Sequence, residues 1–319
     1  MNCFKNSGQD EKLQVSSLKS QVSSYKMAFF FCTLFALRSL LYALRCLLFA
    51  LLCPLSSILY AETVIKFATL APEGSAWMKV MNQFNAEAVK KTEGRVRFKI
   101  YAGGVAGDEK DVIKKIRIGQ LHAGGFTGVG IGEIAPEIRI LDTPFLVKNT
   151  RELDYIYEKF DGEFRRAFKK NGFMFLGWAE VGKVYIFSNT AVSKPADLKN
   201  VKMWLWEGDP IAEETFRAAE IKPIPLSITD VMTSIETGMI NGVYASPLSV
   251  IALQWFTKMK YVLSEPIANA AGAVLVSEKN FNKLDKKDRE ILLSLGRECF
   301  KNLTLISRTD KLLPPLQKR

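Results

Sequence analysis

The chain has 319 residues, of which 48% are hydrophobic and 24% are charged, and its net charge is +11. This composition excludes a disordered polypeptide, and the length exceeds what one small core needs, so two domains are expected. The lysines and arginines stand singly or in pairs, without an Arg-rich helix or base-stacking aromatics, which favours a solvated surface over a nucleic-acid partner.

The first 61 residues have the pattern of an export leader. Lysines precede an apolar stretch, and its uncharged part, Cys46–Ala61, is shorter than the ~20 residues of a spanning helix. This pattern predicts a secretory signal cleaved after Ala61 and a periplasmic mature protein. Leu59 stands where cleavage sites prefer a small residue, so a retained membrane anchor is the alternative. Of the cysteines, only Cys299 lies beyond the leader, and we expect it to be a buried thiol on a helix.

Beyond the leader, apolar runs of strand length alternate with segments of helical periodicity. This order predicts an α/β protein with parallel or mixed sheets that are covered by helices on both faces. The predicted strands are Val64–Leu70, Arg95–Ile100, Phe173–Asn189, Lys202–Trp206, the segment that begins at Asn241, and Ala273–Ser277. The predicted helices begin after Ser75, at Asp108, near Leu153, after Asp209, at Ser227, near Pro247 and at Leu284.

Two helix boundaries carry more specific expectations. Ser227 and Asp230 have the spacing of a capping box, in which the serine hydroxyl accepts a hydrogen bond from the first turn. The helix that begins near Pro247 is expected to continue through Trp255 and Phe256.

The run Phe173–Asn189 is too long for an ordinary strand and is broken near Glu180–Lys183. A strand interrupted in this way predicts a passage from one domain to the other, that is, a hinge. We therefore expect a first domain of residues 62–181 plus about 270–300, and a second domain of residues 182–269 plus the C-terminal segment.

Two tryptophans mark the stretch Lys202–Pro210. Trp204 and Trp206 alternate with apolar residues, as in a strand, and Asp209 before Pro210 is typical of a helix N-cap followed by proline at the first helical position. The stretch is therefore a strand-to-helix junction, and such junctions bind ligands in α/β proteins. Packing of the tryptophans into the core is the alternative.

Residues that commonly carry catalysis are scarce. His122 is the only histidine and is expected to be structural, since no nucleophile or metal-ligand spacing accompanies it. The glycine-rich segment Leu121–Gly130 lacks a phosphate-binding motif, so it predicts backbone approach to a ligand or simple turn geometry. Asp209 is explained as a cap, which leaves Glu207 as a candidate ligand contact. No catalytic residue, metal site or cofactor is predicted, and these absences favour a binding protein over an enzyme.

Four segments together resemble one protein family. They are Gly103–Gly119, Leu141–Leu146, Ala196–Lys202 and Ser227–Gly242. In order and spacing they are similar to the DctP-type substrate-binding proteins of TRAP transporters, over the chain from about Val64 to the C-terminus. The resemblance implies a periplasmic-binding-protein-like fold, in which two α/β domains are joined by hinge strands and close over a small ligand in the cleft between them. It also implies delivery of that ligand to TRAP permease subunits in the membrane, and no enzyme activity.

One position departs from the family's commonest form. Where that form has an arginine that clamps the substrate carboxylate, this chain has Trp204, and a second arginine frequent near the position of Val184 is absent. An arginine offers a carboxylate two charge-assisted hydrogen bonds, whereas a tryptophan offers an apolar face and one N–H donor. The segments Trp204–Asp209, Tyr244–Pro247 and Ala252–Trp255 resemble a tryptophan-rich subgroup of the family. Without the arginine, a more apolar or amphipathic ligand is expected. Some relatives of this type work with a periplasmic helical-repeat (TPR-like) protein, so such a partner is implied as well.

The expected ligand contacts are mostly aromatic residues and residues placed by family position. They are Trp204, Trp206, Tyr185, Phe145 and Tyr244, together with Ser246, Trp77, Thr127, Glu207 and Trp255. Two other classes remain open: a scaffold in an envelope complex, with a stable partner and no closable cleft, and a periplasmic enzyme that depends on carboxylates such as Glu207.

Overall fold

The computed structural model describes residues 26–27, 29–30, 33–48, 62–308 and 317–318. The chain divides into two compact units, residues 1–61 and residues 62–319. In the first unit, residues 33–48 are helical, and the predicted cleavage point after Ala61 lies outside the described residues. Within the parts of the chain that are described, no helix is both long and apolar enough to cross a membrane.

The unit of residues 62–319 is built on two sheets. The first sheet has the strand order β2-β1-β3-β11-β4, with β1 parallel to β2 and β3 and with β11 antiparallel to β3 and β4. Its strands are β1 (Thr63–Ala68), β2 (Val96–Tyr101), β3 (Ala123–Thr127), β4 (Phe173–Trp178) and β11 (Gly272–Ser277). The predicted strands at Val64, Arg95 and Ala273 are thereby confirmed within a residue or two at most ends.

The second sheet is mostly antiparallel. Strand β5 lies at its centre and pairs with β8, β9 and β10, while β9 pairs with β12 in parallel. Its strands are β5 (Gly182–Ser188), β8 (Gly242–Ala245), β9 (Tyr261–Val262), β10 (Ala268–Ala270) and β12 (Gln317–Lys318). A short parallel pair, β6 (Trp204–Trp206) and β7 (Ile224–Leu226), lies beside it, with a bridge from Met203 to Gly242.

Helices cover both faces of the first sheet, as its strand pattern predicts. They are α1 (Ala76–Lys91), α2 (Glu109–Arg117), α3 (Gly128–Ile134), α4 (Thr150–Lys159), α5 (Asp161–Lys170), α9 (Glu278–Phe281) and α10 (Lys286–Ser307). Helices α1 and α10 bury their apolar sides against one face, and α2 to α5 with the 3₁₀ helix Pro136–Asp142 cover the other. We call this sheet with its helices the first lobe; Cys299 is buried in it, as predicted.

The second lobe is the second sheet with β6, β7 and the helices packed on them. These helices are α6 (Pro210–Ala218), α7 (Val231–Glu236) and α8 (Pro247–Ala252), with 3₁₀ helices at Pro195–Asn200, Ile228–Asp230 and Trp255–Thr257. Alternation along β6 divides its side chains between two clusters. Trp204 and Trp206 join one cluster, and Leu205 joins the other.

The predicted hinge lies between β4 of the first sheet and β5 of the second. The chain returns between β10 and β11, and the two passages are hydrogen-bonded to each other, from Ala179 N to Gly272 O at 2.7 Å and from Val181 N to Ala270 O at 3.0 Å. A Cβ on Gly272 would lie 2.1 Å from Ala179 O, so only glycine permits this approach. The proposed domain boundaries agree with these crossings and remain a prediction.

The structure confirms one predicted cap and corrects two other helix predictions. Asp209 caps α6, since its Oδ1 accepts hydrogen bonds from Ile211 N and Ala212 N. The capping box at Ser227 is wrong, because the Ser227 hydroxyl instead donates to Asp108 Oδ2 at 2.7 Å. The helix at Pro247 ends at Ala252, where Gln254 adopts a left-handed conformation (φ 60°) and a separate 3₁₀ turn holds Trp255.

Candidate ligand-binding cleft

A cavity of about 650 Å³ lies in the cleft between the two lobes. The first lobe contributes the junction of β3 and α3 and the end of the 3₁₀ helix with the loop that follows it. The second lobe contributes β6, the first turns of α6, and residues of β5, β8 and β10. The volume is within the range of pockets that enclose small organic ligands, roughly 300–1,000 Å³.

An aromatic wall forms one side of this cavity. We define it as Trp204, Trp206, Tyr244 and Trp255, all of which line the cavity. The Trp204 ring stacks on Tyr244 at 5.2 Å between centroids and meets Trp255 edge-on at 5.5 Å. Trp204 is only 1% exposed, so the wall is a packed surface and not a set of mobile side chains.

The polar atoms of the two strand tryptophans are already used within the protein. Trp204 Nε1 donates to Leu226 O at 3.0 Å, and Trp206 Nε1 donates to Asp108 Oδ2 at 3.0 Å. The Tyr244 hydroxyl accepts a hydrogen bond from Trp206 N at 3.2 Å. Each of the two indoles therefore offers the cavity only its apolar surface, and not the N–H donor that a free tryptophan side chain would supply.

Sequence reasoning missed a buried charge cluster that also lines the cavity. Arg139, 8% exposed, donates from Nη2 to Asp209 Oδ1 at 2.6 Å, and its Nε lies 3.3 Å from Asp142 Oδ2. Burial raises the pKa of Asp142 to about 7, although Arg139 and a hydrogen bond from Ala271 N act in the opposite direction. The available signal was an arginine inside an otherwise apolar segment, Ile138–Leu141.

The glycine-rich segment makes room for this cluster. A Cβ at Gly128 would lie 1.7 Å from Asp142 Oδ2, and a Cβ at Gly132 would lie 2.8 Å from Arg139 Cδ. Gly130 likewise leaves space for Glu109, since a Cβ there would lie 2.6 Å from Glu109 Oε2. The Glu109 carboxyl group accepts hydrogen bonds from Thr127 N and Gly130 N at 2.7 Å each. The glycines therefore allow the side chains of Asp142, Arg139 and Glu109 to lie close to the backbone, a role that the sequence did not predict.

Hydrogen bonds also join the lobes across the cleft. Asp108, at the start of α2, accepts from Trp206 Nε1 and from the Ser227 hydroxyl, both in the second lobe. Lys110 Nζ donates to Glu207 O at 3.2 Å, and Arg139 pairs with Asp209. These contacts link the two lobes beside the cavity.

Most of the expected ligand contacts line the cavity. Those that do are Trp204, Trp206, Phe145, Tyr244, Ser246, Thr127 and Trp255. Phe145 lies at the rim, 71% exposed and in a left-handed conformation (φ 61°). Val184 also lines the cavity.

Four residues of interest lie elsewhere. Tyr185 is buried in the core of the second lobe, and Trp77 stacks on Phe67 beside a separate cavity of about 80 Å³. Glu207 is exposed and outside the cavity lining. His122 contacts Val64 O and Lys66 N at 3.2 Å, where burial lowers the pKa of its imidazole, so its contacts are those of a structural residue.

Comparison with known proteins agrees with this architecture. A solute-binding protein of Verminephrobacter eiseniae (strain EF01-2) is 26% identical over 242 residues, which cover 75% of this chain and 71% of that protein. The 2,3-diketo-L-gulonate-binding periplasmic protein YiaO of Escherichia coli (strain K12) is 23% identical over 223 residues, 68% of this chain and 66% of that protein.

Solved structures share the fold. The TRAP periplasmic solute binding protein of Pseudomonas putida F1, crystallised with bound D-glucuronate, has a TM-score of 0.73 at 22% sequence identity, covering 79% of this chain and 82% of that chain. This likeness confirms the predicted fold class, two α/β domains with mixed sheets. The relatives are substrate-binding proteins and not enzymes, which confirms the prediction of a binding protein.

The family assignment follows from the extent of the match. Residues 67–308 match family 7 of the bacterial extracellular solute-binding proteins, known as DctP. That range runs from β1 to the end of α10 and includes every residue of the aromatic wall. The chain therefore belongs to the DctP family and is a solute-binding receptor of the TRAP transporter type.

Proposed function

We propose that this receptor binds an apolar or amphipathic small molecule in its cleft and delivers it to the permease of a TRAP transporter. The observation that carries the proposal is the aromatic wall, in which Trp204 occupies the position where the resemblance to the family implies a carboxylate-clamping arginine. The Pseudomonas putida protein with the same fold was crystallised with D-glucuronate, a carboxylate, so the proposed ligand differs in chemistry from the ligand of that protein.

Burial of apolar ligand surface in the cavity favours binding of such a ligand. Covering about 150 Å² of its apolar surface is worth roughly 4 kcal/mol before the costs of association. Phe145 at the rim adds ring surface from the first lobe, so a ligand on the wall would touch both lobes. The protein supplies this energy without an ionic anchor at position 204.

The leader supports export as part of the same proposal. We propose that residues 1–61 direct secretion, that cleavage follows Ala61, and that the mature receptor works in the periplasm, with a membrane-anchored form as the alternative. A helical-repeat partner is a further proposal that rests only on the resemblance to the tryptophan-rich subgroup. Affinity purification from the cell envelope tests both, since the mature N-terminus and any co-purifying protein are read by mass spectrometry.

Ligand extraction tests the choice of ligand. The protein is purified without added ligand, and native mass spectrometry of the intact complex is followed by extraction of the bound molecule. We expect an apolar or amphipathic molecule that Trp204→Ala releases. The proposal would be refuted if the extracted molecule were a small polar carboxylate that the wild type and Trp204→Ala bind equally well.

A second variant guards against loss of fold, because Trp204 is buried. Phe145→Ala removes an exposed ring that lines the cavity, and its matched control, Tyr155→Ala, removes a ring that is 61% exposed but is not part of the cavity lining. We expect the first to weaken binding about fivefold, from loss of about 1 kcal/mol of ring burial. Tyr155→Ala is expected to bind like the wild type.

A further inference from the structure

Two residues that line the cavity each carry a buried donor without a hydrogen-bond partner. Among the buried side-chain atoms of the described residues, Arg139 Nε and Asn269 Nδ2 have no acceptor within the protein, and both residues line the cavity. Arg139 is 8% exposed and its Nε lies 3.3 Å from Asp142 Oδ2 without forming a hydrogen bond. Buried donors are nearly always satisfied, so unpaired ones in a ligand cavity indicate an acceptor brought by the ligand.

The two donors are held at the same end of the cavity. Asp142 ends the 3₁₀ helix that carries Arg139, and its Oδ1 accepts a hydrogen bond at 2.7 Å from Ala271 N, next to the strand β10 that carries Asn269. A second bond, from Phe145 N to Ile267 O at 3.1 Å, ties the loop after the 3₁₀ helix to the start of the same strand. We call the pair of Arg139 and Asn269 the donor pair.

Acidic residues outnumber basic ones among the charged residues that line the cavity. The charged residues that line the cavity are Arg139, Lys194, Asp142, Asp209 and Glu265. Three are acidic and two are basic, and the guanidinium of Arg139 is paired with Asp209 at 2.6 Å. Beside Arg139, an incoming carboxylate would meet Asp142 and Asp209, and the guanidinium that could receive it already pairs with Asp209, while the other basic residue of the lining, Lys194, is exposed. Like charges in a buried site repel strongly.

We propose that the donor pair binds an uncharged oxygen acceptor, such as an amide, ester or ketone carbonyl, so that the ligand is a neutral amphipathic molecule with its apolar body on the aromatic wall. This inference rests on the proposed function and names the chemistry of the ligand's polar end. It differs from the carboxylates bound by relatives, whose polar end carries a full negative charge. Asp142 and Asp209, beside Arg139, disfavour a negatively charged ligand, and the donor pair favours a ligand with an uncharged oxygen acceptor.

A matched pair of probes tests the inference on the wild-type protein. Octanamide and octanoate have the same apolar body, and at a pH of about 8 they differ in charge, since the carboxylic acid is fully ionised. We expect isothermal titration calorimetry to give octanamide a dissociation constant roughly tenfold lower than that of octanoate. Octanoate binding as tightly as octanamide overturns this inference and leaves the proposed function standing. Binding of D-glucuronate in preference to both probes overturns both, as does binding of neither.

Asp142→Asn gives a readout that a structural role alone would not produce. The amide oxygen still accepts from Ala271 N, but one negative charge beside Arg139 is gone, so octanoate is expected to gain about tenfold in affinity while octanamide changes little. The matched control is Asp154→Asn, a carboxylate that pairs with Arg308 at 2.8 Å and does not line the cavity. If Asp142→Asn leaves the preference for octanamide over octanoate unchanged, the charge argument is contradicted. If Asp154→Asn changes that preference as well, the effect of Asp142→Asn is not specific to the cavity.

Asn269→Ala tests the other donor. Loss of its amide is expected to weaken octanamide about fivefold and to leave octane, which has no acceptor, unaffected. Equal losses for octanamide and octane would assign Asn269 to packing and overturn its role in the donor pair.

Discussion

Gly128→Ala is the substitution whose cost follows most directly from the structure. Gly128 begins α3, and a Cβ there would lie 1.7 Å from Asp142 Oδ2 and 2.7 Å from Asp142 Cγ, whereas real Cβ contacts essentially never fall below 3.0 Å. The backbone of Gly128 is not in the left-handed region, so the cost arises from this contact alone. To admit the methyl group, the Asp142 carboxylate must move away from Ala271 N and Arg139.

The magnitude is the sum of two effects. Overpacking a filled site costs about 1–3 kcal/mol. Displacing Asp142 from Ala271 N removes a buried hydrogen bond, which adds about 1 kcal/mol. We therefore expect the free energy of unfolding to fall by about 3 kcal/mol, which corresponds to a decrease in Tm of roughly 6–12 °C for a unit of this size.

A double-mutant cycle isolates the contact. In the Asp142→Ala background there is no carboxylate to displace, so Gly128→Ala should cost almost nothing, and the coupling energy should be about 2–3 kcal/mol. Urea denaturation followed by tryptophan fluorescence measures all four proteins. An equal cost of Gly128→Ala in both backgrounds would refute the reasoning.

The matched control is another glycine in a first helical turn. Gly162 of α5 is exposed, has an ordinary φ, and a Cβ there would meet only the end of the Arg166 side chain, at 3.4 Å. Gly162→Ala should therefore be neutral or should stabilise the protein by up to about 1 kcal/mol, through helix propensity.

Three further predictions concern the contacts around the cleft. Asp209→Asn keeps the cap oxygen but removes the charge that faces Arg139, so urea denaturation should show a decrease of about 3 kcal/mol in the free energy of unfolding. The control Glu214→Gln, in an exposed pair with Arg217, should behave as wild type, and equal effects of the two substitutions would contradict this prediction. Burial raises the pKa of Glu109 from 4.5 to about 8, so the folded state binds this proton more tightly than the unfolded state, and stability should fall as pH rises from 4.5 to about 8. Urea titrations of Glu109→Gln should show a shallower decline, and an unchanged slope would exclude Glu109 as its source. Ser227→Ala removes one hydrogen bond to Asp108 without changing the cavity lining, so calorimetry with octanamide should show about fivefold weaker binding. The control Thr237→Ala removes a hydroxyl that bonds only within its own helix, and it should leave octanamide binding unchanged.

The elements could be predicted because their signals are local. Alternation over Arg95–Ile100 and the order Asp209-Pro210 depend only on neighbouring residues, and both gave the observed strand and cap. The break near Glu180–Lys183 also located the passage between the sheets. The capping box predicted at Ser227 was wrong because its hydroxyl donates to Asp108, which is 119 residues away in the sequence and which no local pattern reveals.

The cavity was predictable in its aromatic part and not in its charged part. The resemblance to the family placed Trp204 and Tyr244 at the site, and period-two alternation placed Trp206 on the same face of β6. The role of Arg139 could not be predicted because it depends on its contacts with Asp142 and Asp209. It also depends on the space left by Gly128 and Gly132, and only the fold brings these residues together. Charge compensation within a cavity is a property of three-dimensional neighbours.

The tryptophan at position 204 and the Arg139–Asp209 pair have a common consequence for closure of the cleft. A ligand shifts the equilibrium between open and closed states only by the contacts it makes better in the closed state. In the family's commonest form, the resemblance implies that a substrate carboxylate supplies such contacts through an arginine. An uncharged ligand forms fewer directional bonds, so here the protein's own bonds across the cleft, from Arg139 to Asp209 and from Trp206 and Ser227 to Asp108, must contribute more of the closing energy. The same bonds that allow an apolar ligand to be retained should therefore also populate the closed state in the absence of ligand.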